Sequence, residues 1–97
     1  MTEPQSEDFH ADLARCREEI GRIDEQIITL LSRRLELGKT TGHLKREIGV
    51  PILDPAREAA VIRHVAELAR DAGLPEEPMR EIYWQIVGMS RRVQEVE

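Results

Sequence analysis

Between Asp12 and about Glu47 the chain holds no proline and sets Leu13, Ile20, Ile23, Ile27, Leu30, Leu31, Leu35 and Leu37 mostly at steps of three or four. That is the spacing of a helix with one apolar face. It predicts a single long helix, with Asp8 or Asp12 as its candidate cap. The helix should end around Ile48, because Gly49 terminates helices readily and Val50 before Pro51 is held extended. Asp54-Pro55 then offers an N-cap followed by proline at the first helical position. A second helix is expected from Pro55 to Ala72, with Val61, Ile62, Val65, Leu68 and Ala72 on its inner stripe and Gly73 at its end. A third begins between Pro75 and Pro78 and turns Met79, Ile82, Tyr83, Ile86, Val87 and Val93 inward. With no strand pattern and no internal repeat, the expected fold is all-α, one long helix and two shorter ones in a single domain over residues 8–97. Residues 1–7 are polar and contain Pro4, so they are expected to form a disordered tail.

The lengths carry a second expectation. The long helix would extend roughly 50 Å, whereas a compact domain of this size has a radius of gyration of only ~13 Å. Each short helix would span roughly 27 Å and cannot cover both ends of the long one. The remaining apolar stripe must be buried by a partner, and an intertwined twofold homodimer with the long helices side by side is the expected solution.

Composition narrows the class. Only Phe9, Tyr83 and Trp84 are aromatic, so the core is aliphatic. A formal net charge of −5 argues against a nucleic-acid partner while allowing a local basic pocket. The single Cys16 rules out an intramolecular disulfide and suits a reducing compartment. There is no apolar run near ~18 residues and no signal-peptide pattern. No membrane association and a cytoplasmic location are expected. His10, His43 and His64 are scattered and form no metal-ligand pattern with cysteines or carboxylates.

Polar residues interrupt the apolar stripes at particular places: Arg17, Arg34 and Lys45 on the long helix, Asp54, Arg57 and Glu58 at the start of the second, Ser90 and Gln94 on the third. Arg34 and Lys45 are eleven residues apart, close to three turns, and share a face. Arg17 lies roughly 25 Å from Arg34 along the helix and is rotated away from that face. If all three grip one small ligand, Arg17 comes from a second copy of the chain. Ser90 and Gln94 continue the face of Tyr83, Ile86 and Val87, and buried polar groups without partners cost about 1 to 3 kcal/mol. They are candidate donors into a pocket. Taken singly, each residue has a plainer reading. Arg34 beside Arg33 and Lys45 beside Arg46 are also solvated basic pairs, Asp54 is also a helix cap, and Gln94 is also an exposed residue near the C terminus. Gly38 and Gly42 each cost about 1 kcal/mol of helix propensity. They are either surface imperfections or openings for a close neighbour. Arg91-Arg92 is expected on a solvated face near the mouth of that pocket.

The pieces in order resemble the all-helical family of chorismate mutases, the AroQ class, over Leu13 to Gln94. The resemblance is carried by R-x₂-I-x₂-I-D-x₂-I-x₂-L-L-x₂-R at Arg17 to Arg34, G-x₂-K at Gly42 to Lys45, D-P-x-R-E-x₂-V at Asp54 to Val61, and I-V-x₂-S-R-x₂-Q at Ile86 to Gln94. It implies a cofactor-free Claisen rearrangement of chorismate to prephenate, in an enzyme of aromatic amino acid biosynthesis. By resemblance Arg34, Lys45 and the second copy's Arg17 clamp the substrate's two carboxylates in a homodimer with shared active sites. Lys45 and Gln94 donate to the ether oxygen as negative charge develops there, and Glu58 accepts from the ring hydroxyl, helped by the backbone at Asp54. Ser90 bonds a carboxylate, and Arg57 borders the pocket and orients Glu58 or the substrate. The fold also accommodates a mutase or lyase acting on 4-amino-4-deoxychorismate or isochorismate, or a catalytically silent helical dimer with a regulatory role. Any control of activity would come through a partner enzyme of the same pathway, docked at Arg91 to Glu97.

Overall fold

The structure, a computed structural model, describes residues 8 to 96, so the tail expected over residues 1–7 lies outside the described residues. Three helices follow in order, α1 (Phe9–Ile48), α2 (Pro55–Asp71) and α3 (Glu76–Glu95), with no strand among the described residues. The chain is all-α.

α1 begins at Phe9, four residues before Leu13 opens its apolar stripe, because Asp8, one of the two expected caps, supplies the cap: its Oδ1 accepts from the Ala11 N–H at 3.1 Å. Its C terminus closes on Gly49, whose φ of +74° lies in the left-handed region that only glycine enters cheaply. The Val50 N–H reaches the Lys45 carbonyl at 3.0 Å and the Gly49 N–H reaches that of Arg46 at 3.3 Å, the paired bonds of a Schellman motif. Gly73, φ +73°, ends α2 in the same way, with Leu74 bonded to Ala69 and Gly73 to Arg70. Pro51 and Pro75 follow the two stops. At the other end of α2, Asp54 accepts from the Arg57 N–H at 3.0 Å and Pro55 takes the first helical position.

The chain divides into two units. The first, Met1–Arg33, is the leading part of α1 among the described residues. Its apolar side chains stand open, with Leu13, Ile20, Ile23, Ile27 and Leu30 each about half exposed.

The second unit, Arg34–Glu97, contains the end of α1 with α2 and α3. Its buried apolar residues are Ile62, Val65, Ala66, Ala69 and Val87. The inner stripe of α2 therefore differs from the expected one. Leu68 is 53% exposed and Ala72 is exposed, while Ala66 and Ala69 take the inside. Positions 62, 65, 66 and 69 form one face at helical spacing, and two alanines let α3 come close where a leucine would hold it off. On α3 Ile82 is half exposed rather than inward, whereas Val87 and Gly88 are buried. Arg70 Nε donates to Glu76 at 2.5 Å, tying the end of α2 to the start of α3. No helix among the described residues is long and apolar enough to cross a membrane.

Candidate active site

A cavity of about 290 Å³ opens within the second unit. Of the eight polar residues singled out in the sequence, seven line it: Arg34 and Lys45 from α1, Asp54, Arg57 and Glu58 from the start of α2, Ser90 and Gln94 from α3. Arg17 belongs to the first unit and is not among the lining residues. Val61, Val87 and Ile52 supply apolar wall, and Thr41, on the same face of α1 as Arg34 and Lys45, adds a hydroxyl side chain that the sequence reading passed over.

A polar contact between Lys45 and Gln94 joins α1 to α3. The Lys45 ammonium donates to Gln94 Oε1 at 2.7 Å and to the Ile52 carbonyl at 2.8 Å. An ammonium has three protons and no acceptor, so one N–H remains for a ligand. It also forces the amide the right way round: the oxygen of Gln94 must face the lysine, and its NH₂ is left as the free donor. Arg46 adds a bond from Nη1 to the Gln94 carbonyl at 2.7 Å, fixing the backbone that carries this side chain.

That closeness explains the two glycines of α1. A Cβ on Gly42 would sit 2.8 Å from Gln94 Cα and 2.9 Å from its carbonyl oxygen, and one on Gly38 would sit 2.8 Å from Ser90 Oγ. At Gly42 the obstacle is backbone, so nothing can rotate aside. Gly42→Ala should therefore lower stability by about 1 to 3 kcal/mol through overpacking, against the gain of about 1 kcal/mol expected from helix propensity alone. Thermal unfolding reads the sign directly, and a raised Tm would refute the close approach.

At the opposite wall, Glu58 is held by Arg91, whose Nε and Nη2 donate to Oε2 and Oε1 at 2.9 and 3.3 Å. This is a two-pronged, charge-assisted pair. Arg91, half-buried and paired, thus differs from its exposed neighbour Arg92. It was missed because its partner lies 33 positions away, joined only by the packing of α2 on α3. Asp54 has its own engagement at the α2 cap. The guanidinium of Arg34 stands 6.0 Å from the Tyr83 ring centroid, close enough for a cation–π contact.

With Glu58 paired and Asp54 capping, the charges left to a ligand are Arg34, Lys45 and Arg57. The cavity suits a small multivalent anion, and Lys45 with Gln94 places two fixed donors where charge can be stabilised as it forms.

The chain is similar to several known proteins. The family model for chorismate mutase type II matches residues 16–95. A bifunctional chorismate mutase/prephenate dehydratase from Aquifex aeolicus is 34% identical over 79 residues, 78% of this chain and 22% of its own. The chain thus spans about a fifth of that relative's length. A 4-amino-4-deoxychorismate mutase from Streptomyces venezuelae is 31% identical over 85 residues, covering 88% of this chain and 82% of its own. Among solved structures, a conserved hypothetical protein from Pyrococcus furiosus superposes with a TM-score of 0.70 at 38% identity, covering 86% of this chain and 95% of that one.

Proposed function

Because this chain belongs to the chorismate mutase type II family, we propose that it rearranges chorismate to prephenate in a cavity that binds the substrate folded. The reaction is a [3,3] shift within one molecule. The ether C–O bond breaks as a C–C bond forms, the electrons move around a six-membered ring of atoms, and no proton or cofactor enters. The protein's task is to select the folded conformer and to stabilise charge.

Arg34 and Lys45, with Arg17 of a second copy, hold the two carboxylates, and Ser90 hydrogen-bonds one of them. Confinement of the two reacting ends converts a floppy substrate into a near-attack conformer. Negative charge grows on the ether oxygen as its bond to carbon breaks, so donors beside it bind the transition state more tightly than the ground state. The free N–H of Lys45 and the NH₂ of Gln94 are those donors, and Glu58 accepts from the ring hydroxyl. The observation that carries this reading is the 2.7 Å bond from Lys45 to Gln94 Oε1, which orients both donors before any substrate arrives. Incubating the protein with chorismate, isochorismate and 4-amino-4-deoxychorismate and identifying each product is the test; prephenate from the first is expected, and its absence would overturn the assignment.

The functional unit in this proposal is a homodimer of one domain over residues 8–97, with sites shared between copies. It is supported by the half-exposed Leu13, Ile20, Ile23, Ile27 and Leu30, whose burial is worth about 25 cal/mol per Å² of apolar surface. Subunit exchange reads it out. Mixing Arg17→Ala protein with Arg34→Ala protein should restore activity, because one of the two sites in each mixed dimer then holds both arginines. Proven exchange with no recovery would mean that one chain builds each pocket. The Aquifex aeolicus relative is named for both a mutase and a dehydratase, which supports a pathway enzyme as a partner.

A further inference from the structure

The pair between Glu58 and Arg91 bears on which substituent the substrate ring carries. Glu58 is 15% exposed, and both of its oxygens are occupied by the Arg91 guanidinium. Each carboxylate oxygen keeps a second lone pair, so Glu58 still accepts a hydrogen bond from a ligand. What it lacks is uncompensated negative charge. Among the described residues the one other acidic group lining the cavity is Asp54; it keeps its charge, but one of its oxygens is committed to the helix cap, and Arg57 lies on the same wall. A neutral hydroxyl needs only an acceptor and is well served. An ammonium at the same ring position brings a full charge toward a carboxylate already neutralised by a cation a few ångströms behind it.

Resting on the assignment of the cavity to chorismate-type substrates, we infer that Arg91 is a positioning and specificity residue: it orients Glu58 and, by cancelling its charge, selects a ring bearing a hydroxyl over one bearing an amine. Two unit charges about 6 Å apart at an effective dielectric of ~20 to 40 interact strongly enough to shift such a choice by roughly tenfold or more. Removing Arg91 should expose the carboxylate's charge and favour the amine. A residue that merely stiffened the fold would slow both substrates alike.

The experiment compares kcat/KM for chorismate and for 4-amino-4-deoxychorismate in the wild-type protein and in Arg91→Gln, Arg91→Met and Arg91→Lys. Wild type is expected to prefer chorismate. In the Gln and Met variants the amine-to-hydroxyl ratio should rise roughly tenfold, either one sufficing if the other does not fold. Arg91→Lys keeps the charge without the fork; its chorismate kcat/KM should fall while its ratio stays near that of wild type. Wild-type turnover of chorismate with a ratio unmoved by Gln or Met would overturn the role of Arg91 alone. A wild-type preference for the amine would overturn it as well, and turnover of neither compound would remove the substrate assignment together with it.

Discussion

Lys45→Ala is expected to lower turnover by roughly 10² to 10³ or more, the effect of removing one preorganised donor from a developing oxyanion. The geometry makes the loss compound. The ammonium supplies the third N–H to the ligand, and it also pins Gln94 Oε1 at 2.7 Å and the Ile52 carbonyl at 2.8 Å. Alanine removes the cation and frees the amide of Gln94 to turn its oxygen toward the substrate. Because these donors act on charge that appears only as the C–O bond breaks, the change should fall mainly on kcat. The helices should persist, since the groups left behind are half-buried and reachable by water. Steady-state kinetics beside far-UV circular dichroism separates the two effects. Unchanged turnover in a folded variant would mean that the ether oxygen is held by other groups.

The second large effect is conditional on pH. Gln94→Glu should be almost inactive near neutrality, where a carboxylate would sit against Lys45 and turn lone pairs instead of an N–H toward the forming charge. Protonation restores a donor, an O–H in place of the amide. The lysine ammonium 2.7 Å away favours the charged carboxylate and pulls its pKa below the usual ~4.3, while a bound dianion pushes it back up. Activity should therefore climb only on the acid side, below about pH 5, as the group gains its proton. The pH dependence of kcat for variant and wild type measures this, and a variant profile parallel to wild type would contradict the position given to Gln94.

Glycine and proline punctuation made the helices legible: Gly49-Val50-Pro51 and Gly73-Leu74-Pro75 became two Schellman stops followed by prolines. The start of α1 was less clear, because an apolar stripe says where burial begins and not where the cap sits. On α2, hydrophobicity favoured Leu68 over Ala66 and Ala69, yet close helix contact selects by size. Seven of the eight polar positions share the cavity; taken singly each had a plainer reading, Asp54 as a cap above all, and it was the four motifs in order that set them apart. Arg91 was hidden in a basic pair, its role depending on a partner in another helix. The Ile52 carbonyl was hidden more completely, since a backbone acceptor has no residue identity to recognise.

The bond from Lys45 to the Ile52 carbonyl makes the connection between α1 and α2 a ruler. Its hold on the ammonium passes through main chain, so that grip does not itself depend on which side chain stands at position 52. It does depend on the length of the connection. One residue added or deleted between Gly49 and Asp54 would carry the carbonyl off its mark, so insertions are better tolerated at the turn around Gly73, which sets no donor.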